Sequence, residues 1–251
     1  AWNTGATSED LTGQSGGTYT VTLSDGNGCT ISSTFVIAEP SALSVADQIT
    51  DVVCFGALNG GIDLTVTGGL PSYSFQWSNT ATSEDLAGLS GGTYTVTITD
   101  ANACTTVQTY FVFEPTQLMV SFTQVDVSCN GLTDGSIDVS VLGGTVPYTY
   151  DWNSGTYTTE DLSGLAAGTY NLVVTDANSC TAIATVTIIE PSALGLGGIV
   201  VDVSCNGIQD GSIDVSASGG TLPYAYAWNT GATSEDLTGQ SGGTYTVTLS
   251  D

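Results

Sequence analysis

An all-β chain built from small tandem beads is what the sequence predicts, and three observations carry that expectation. Residues 1–25 recur letter for letter as residues 227–251, and between them the same text returns twice in altered form, with Trp2, Trp77, Trp152 and Trp228 spaced 75, 75 and 76 residues apart. No segment longer than one turn shows an apolar 3.6-residue repeat, whereas short segments alternate apolar and polar with the two-residue period of a half-buried strand. The 32 glycines fall between these segments at hairpin spacing. Units of 20 to 50 residues usually stack as solenoids that cannot fold alone, but a period near 75 residues lies within the range of small autonomous domains. The expected organisation is therefore residues 1–40 as the C-terminal part of a bead, 41–115 and 116–191 as complete beads, and 192–251 as the N-terminal part of another. On this reading the chain is a stretch of a longer array, a bead repeated with drift inside a 226-residue block repeated without drift over the overlap.

The elements of one bead can be justified in order on residues 116–191. Ser136 to Val141 alternates outward and inward and then meets Gly143-Gly144, a strand followed by a turn. Tyr148, Tyr150 and Trp152 share one face of the next extended segment, because side chains two apart point the same way. Their counterparts are Tyr73, Phe75, Trp77 and Tyr224, Tyr226, Trp228. A polar link, Thr158 to Leu162, leads to Leu165, and Gly168 to Asp176 forms another strand, repeated as Thr93 to Asp100 and Thr18 to Asp25 with Thr outward and Tyr, Val, Ile or Leu inward. The last strand, Cys180 to Ile189, ends at Glu190-Pro191. Roughly seven short strands, a Trp on an early central strand and a late Gly-Thr-Tyr strand point to an immunoglobulin-like β-sandwich, with the Tyr placed at a tyrosine corner. The Glu39-Pro40, Glu114-Pro115 and Glu190-Pro191 pairs fall where beads meet, and proline stiffens such a joint by fixing φ.

Composition narrows the function classes. The chain has 25 acidic residues, no Lys, Arg or His, and a formal charge of -25, so no salt bridge between side chains can form. Nucleic acid is excluded as an electrostatic partner because phosphate binding draws on Lys and Arg, and anionic membrane surfaces are excluded likewise. No apolar run reaches the length of a membrane-spanning helix, so no membrane insertion is expected in this stretch. High charge usually accompanies disorder, but 41% of the residues are hydrophobic and their alternation is clean, so the segments should fold.

Six cysteines at 29, 54, 104, 129, 180 and 205 recur two to a period. With no His and no closely spaced Cys pair, they fit disulfides and not zinc, which implies an oxidising compartment at the cell surface or beyond. Within the bead frame the pairs are Cys54 with Cys104 and Cys129 with Cys180, leaving Cys29 and Cys205 to pair outside the stretch. A bridge closing about 50 residues would stabilise a bead by on the order of 4 kcal/mol in the chain-entropy account. Strict immunoglobulin topology would set those two cysteines at opposite poles, so either the first strand is displaced or the bonds link neighbouring beads.

The strings Ser-Cys-Asn-Gly-x-x-Asp-Gly-Ser-Ile-Asp-Val (Ser128 to Val139 and Ser204 to Val215), Gly-Gly-x-x-Pro-Tyr, Leu-x-x-Gly-Thr-Tyr, Thr-Asp-Ala-Asn-x-Cys and the closing Glu-Pro resemble the SprB repeat, a family found in large surface adhesins of gliding Bacteroidota. The resemblance runs through all four beads; Phe55 for Asn and Asn59 for Asp are departures in the second. It implies an extracellular cell-surface filament, exported by the type IX route and used in adhesion or gliding.

Catalysis is not expected. The Glu-Asp pairs Glu9-Asp10, Glu84-Asp85, Glu160-Asp161 and Glu235-Asp236 recur in every bead, which suits solvated loop carboxylates better than active sites on a string. A sharper candidate is Ca²⁺, which takes oxygen ligands from Gly-rich turns: Asn130, Asp134 and Asp138 form one candidate set, and Asp100 with Asn102, and Asp176 with Asn178, the other. Against it, Asp-Gly and Asp-Ala-Asn are turn formers by their own hydrogen bonding. Tyr148, Tyr150 and Trp152 are expected in the core, and Tyr110 and Tyr157, being out of phase with the buried pattern, are the aromatics expected at the surface. Two functions remain: an adhesive filament whose partners are neighbouring repeats, other copies in a fibre, polysaccharide or solid surfaces, or a spacer whose ligand-binding domain lies elsewhere. A carboxylate-based glycan-active enzyme is a third and needs two carboxyls about 5 to 9 Å apart in a cleft.

Overall fold

A computed structural model describes all residues 1–251 and contains nineteen strands and no helix. In the first bead β1 (Gly17–Ser24) and β2 (Thr30–Ile37) form an antiparallel hairpin, which Trp2 joins through a bridge to Val21. The second bead comprises β3 (Ser44–Thr50), β4 (Gly60–Thr67), β5 (Ser74–Trp77), β6 (Leu86–Leu89), β7 (Gly92–Thr99) and β8 (Thr105–Val112). The third repeats it as β9 (Met119–Val125), β10 (Gly135–Leu142), β11 (Thr149–Trp152), β12 (Leu162–Leu165), β13 (Gly168–Thr175) and β14 (Thr181–Ile188). The fourth holds β15 (Gly195–Val201), β16 (Gly211–Ser218), β17 (Ala225–Trp228), β18 (Leu237–Gln240) and β19 (Val247–Ser250). By contacts the chain divides into Ala1–Glu114 and Pro115–Asp251.

Each complete bead is two antiparallel three-stranded sheets, ordered β3-β4-β6 and β5-β7-β8 in the second bead and β9-β10-β12 and β11-β13-β14 in the third. This is the immunoglobulin-like arrangement with one strand fewer than the roughly seven expected. The link from Asn153 to Asp161 runs as turns where a further edge strand would lie, since its Gly, Ser and Thr residues bury nothing and offer no alternation for a sheet to use. The strand-to-strand register is tight elsewhere: β13 pairs with β14 from Gly168↔Ile188 to Thr175↔Thr181 without a bulge.

The core sits between the two sheets of each bead. In the third it is Val127, Ile137, Val139, Trp152, Leu162, Leu165, Tyr170, Leu172, Val174, Val186 and Ile188, and the second bead has its own cluster from Val52 to Val112. Trp152 is fully buried, with Tyr148 and Tyr150 packed against it, as the two-residue period requires. Its indole N–H donates to the Thr159 carbonyl at 3.0 Å; the same bond is made by Trp77 to Ser83 and Trp228 to Ser234. A buried Trp thereby loses no hydrogen bond on folding. The Gly-Thr-Tyr tyrosines make the corner bond: Tyr94, Tyr170 and Tyr245 donate to the carbonyls of Ser90, Ala166 and Ser241, each four residues upstream.

Tyr110 departs from expectation. It is 7% exposed, within the second bead's core, and its ring lies 6.1 Å from that of Trp77. The β7–β8 register puts it opposite Tyr94 on the inward face, so its phase is the sheet's, and burial raises its phenol pKa above the usual value. Tyr157 is at the surface, 40% exposed.

Candidate functional site: the two poles of the bead

Most of the residues singled out for chemistry lie at one of two ends of a bead. The entry pole of the third bead is where the chain arrives. The Thr116 carbonyl accepts the Gly144 N–H at 2.8 Å, and Gly143, at φ 74°, passes so close to the Gln117 carbonyl that a Cβ there would collide with it. The turn between β13 and β14 closes the same pole. Asp176, 5% exposed, accepts the N–H groups of Asn178 (2.9 Å) and Cys180 (2.8 Å) on one carboxylate oxygen and that of Thr145 (2.9 Å) on the other. One carboxylate therefore fixes its own turn and ties it to the Gly-Gly turn of the opposite sheet.

The second bead repeats the device. Asp100 accepts from Asn102, Cys104 and Leu70, and the Leu70 N–H above all holds its carboxyl below the ordinary carboxylate range, against the raising effect of burial. Asp25 holds Asn27 and Cys29 in the first bead.

The exit pole carries the other cysteine. Val127 donates to the Ile189 carbonyl, and the Glu190 carboxylate accepts the Gly131 N–H at 2.7 Å. In the second bead Glu114 spans two elements, one oxygen accepting from Gly56 at 2.6 Å and the other from Gly91 at 2.9 Å. The Glu of each closing Glu-Pro is thus a clamp on the cysteine loop as well as part of the joint. Asp134 accepts from the Ser128 backbone and hydroxyl, and the hydroxyl bond lowers its pKa; Asp210 and Ser204 repeat this. In the second bead Asn59 accepts from the Val53 N–H at 3.1 Å. The departure from Asp to Asn keeps the acceptor, and the Phe55 departure removes only the bond that Asn130 makes to the Pro191 carbonyl.

The candidate calcium ligands are placed accordingly. Asp100 and Asp176 spend both carboxylate oxygens on backbone N–H groups. Asn130 faces Pro191, Asp134 faces Ser128, and Asp138 is exposed on β10 opposite Thr123. No three His, Cys, Asp or Glu side chains converge closely enough to hold a metal ion. The Glu-Asp pairs are more than solvated carboxylates: Asp85, Asp161 and Asp236 accept the N–H groups of Leu64, Val139 and Val215 at 2.8 to 2.9 Å. Each bonds a central strand beyond the short stretch over which the edge strand pairs with it. The sequence signal for this role was available, since the Asp recurs 21 or 22 residues after its strand partner in the three beads that contain both. The Glu beside it serves otherwise: Glu235 accepts the Tyr226 hydroxyl at 2.8 Å. Burial first, and then bonding to Glu160 or Glu235, pushes Tyr150 and Tyr226 up to about 12.

The cysteine pairing expected from the bead frame is corrected. Cys29, Cys104, Cys129 and Cys205 are exposed free thiols, so neither expected within-bead pair is formed. The reason is distance. Cys129 belongs to the exit pole and Cys180 to the entry pole of one bead, separated by the eight residues of β13, or about 23 Å at strand rise. A disulfide joins Cα atoms no more than about 7 Å apart. The first strand is not displaced, so the within-bead bond cannot close.

No curated protein matches the chain. Among solved structures, similar folds include a C-terminal fragment of intimin in complex with the intimin-binding domain of the translocated intimin receptor, at 15% identity and TM-score 0.35, covering 63% of this chain and 67% of that one. Another is the N-terminal eight immunoglobulin domains of Down syndrome cell adhesion molecule, at 12% identity and TM-score 0.39, covering 85% of this chain and 32% of that one. The family comparison matches the SprB repeat at residues 46–82, 121–157 and 197–233, each match running from the first strand of a bead through its core Trp and the turn beyond. The SprB repeat model thus matches once in each bead whose first strand the chain contains.

Proposed function

We propose that the chain is the non-catalytic, extracellular repeat region of a cell-surface adhesive filament, serving adhesion and, in a gliding cell, surface contact during movement. The observation that supports it best is repetition of structure without a unique site: the same Trp, tyrosine corner and polar clamps recur from bead to bead, and no cluster of reactive side chains sets one bead apart. SprB repeats belong by family to surface adhesins, and export by the type IX route follows the same reading. Neighbouring repeats are its immediate partners; polysaccharide or solid surfaces are the external ones.

The adhesive reading is tested by immobilising the folded chain and measuring retention of polysaccharides and of bare solid surfaces. Saturable binding supports it, and no binding to any supports a spacer. One observation favours the spacer: outward hydroxyls pair with each other across strands, Thr20 with Thr34, Thr22 with Ser32 and Thr95 with Thr109, at 2.9 to 3.1 Å. A hydroxyl already bonded to its neighbour offers less to a sugar.

A further inference from the structure

We propose that the outward face of the β5-β7-β8 sheet of the second bead binds a neutral polysaccharide, held in a groove of hydroxyl and amide side chains beside β5. The inference rests on the adhesive reading and narrows it to one face and one class of ligand. The groove has a volume of about 390 Å³ and is lined by Ser74, Gln76, Thr80, Thr82, Thr97 and Thr99, a size within the range of small-ligand sites. Pairing of β5 with β7 sets Ser74 opposite Thr99 and Gln76 opposite Thr97. The two-residue period turns all four away from the buried Trp77, Val96 and Ile98, and the turn after β5 adds Thr80 and Thr82.

The hydroxyls of Thr95 and Thr109 on the same sheet are spent on each other; those of the groove are not. Thr97 has Gln76 on one side and Val107 on the other, so no hydroxyl stands opposite it. Among the lining side chains only Ser74 bonds within the chain, to the Thr99 carbonyl at a long 3.4 Å. Hydroxyl and amide groups both donate and accept, as sugar hydroxyls do, whereas a carboxylate only accepts. No carboxylate lines this groove. A chain of charge -25 without Lys, Arg or His repels an acidic polysaccharide and has no cation to hold one, so the ligand that fits is neutral. Phe111, 61% exposed, lies on the outward face of β8 opposite Thr93. It stands four residues along β7 from Thr97, about 13 Å at strand rise, a distance that a short oligosaccharide spans. Its ring offers an apolar surface to the C–H face of a sugar.

The other beads lack this combination. At the registers of Gln76, Thr97 and Phe111 the third bead has Asp151, Val173 and Thr187, and Asp151 accepts the Gly155 N–H. The fourth has Ala225 and Ala227 in place of Ser74 and Gln76, and the first has Ala1 in place of Gln76. The inward positions repeat from bead to bead and hold the fold; these outward ones differ without touching the core.

The test runs the full chain in native gels cast with dextran, mannan or hydroxyethyl cellulose as neutral probes and with alginate as the acidic one. Retardation that saturates with at least one neutral polymer, and none with alginate, is the expected result. The double variant Gln76→Asp and Thr97→Val should weaken that retardation about tenfold or more, the effect of one or two lost hydrogen bonds, and Phe111→Thr should weaken it as well. Thr185→Val, on the third bead, should leave it unchanged. The weakening substitutions install residues that the third bead already carries at the same places, so the fold is kept, which the near-ultraviolet signal of the buried Trp side chains checks. Undiminished retardation of the double variant, or an equal loss from Thr185→Val, overturns the groove and leaves adhesion standing; so does retention on bare glass with no polysaccharide bound. Retardation by alginate as strong as by the neutral polymers overturns the class of ligand. A chain held by neither polysaccharide nor glass overturns the groove and the adhesive reading together.

Discussion

Single carboxylates and single indoles carry much of the stability of each bead. Trp152 fills the middle of its core, and Trp152→Ala should cost about 3–5 kcal/mol, measured by urea unfolding. Asp176 is the stronger test of local chemistry: Asp176→Ala orphans three N–H groups and should cost roughly 2–3 kcal/mol, whereas Asp138→Ala, on an exposed strand face, should stay within about 0.5 kcal/mol. If the Asp-Ala-Asn turns are hydrogen-bonded turns, millimolar Ca²⁺ leaves the melting temperature unchanged; a rise of several degrees would make Asp100 and Asp176 calcium ligands after all. The pH dependence follows from the signs. Hydrogen bonds hold the carboxyls of Asp100, Asp134 and Asp210 below the ordinary carboxylate range, so their contribution is intact above that range and is lost as the pH falls through their folded values. Tyr150 and Tyr226, raised to about 12 from 10.0, contribute below pH 10 and lose that contribution between there and about pH 12. Thermal melts across both ranges should show stability falling at each end, and a constant melting temperature from pH 10 to 12 would contradict the burial of these phenols.

At the scale of elements, the strands were legible because their signal is local. Alternation placed Tyr148, Tyr150 and Trp152 inward, and the Gly-Thr-Tyr motif placed the corner. What was not legible depends on contacts distant in sequence. The phase of Tyr110 is set by register against β7, and the role of Asp161 by a bond across 22 residues. The cysteine poles are the clearest case. Periodicity pairs Cys129 with Cys180 because a spacing of about 50 residues looks like a loop, and only the direction of β13 shows that this loop spans the bead from end to end. The Gly-Gly turns are an element-scale prediction of their own: Gly143→Ala must displace the Gln117 backbone from its present close approach and takes an alanine to positive φ. It should destabilise by more than the roughly 1 kcal/mol of an ordinary Gly-to-Ala backbone effect, read as an earlier urea midpoint, while Gly26→Ala, in open space, should be nearly neutral.

For the whole molecule, a charge of -25 without a single side-chain cation means that beads repel one another, an effect that salt screens to about 8 Å at physiological ionic strength. Repulsion keeps separate chains apart but gives a single chain no strength along its length. Strength falls to the separate cores of the beads. Stretching the 251-residue chain by its ends under reducing conditions therefore tests the account most directly. Each complete bead should give way as a unit and release roughly 20–25 nm, about 75 residues at about 3.4 Å per residue. A single cooperative event for the whole chain, or lengthening without steps of that size, would contradict it.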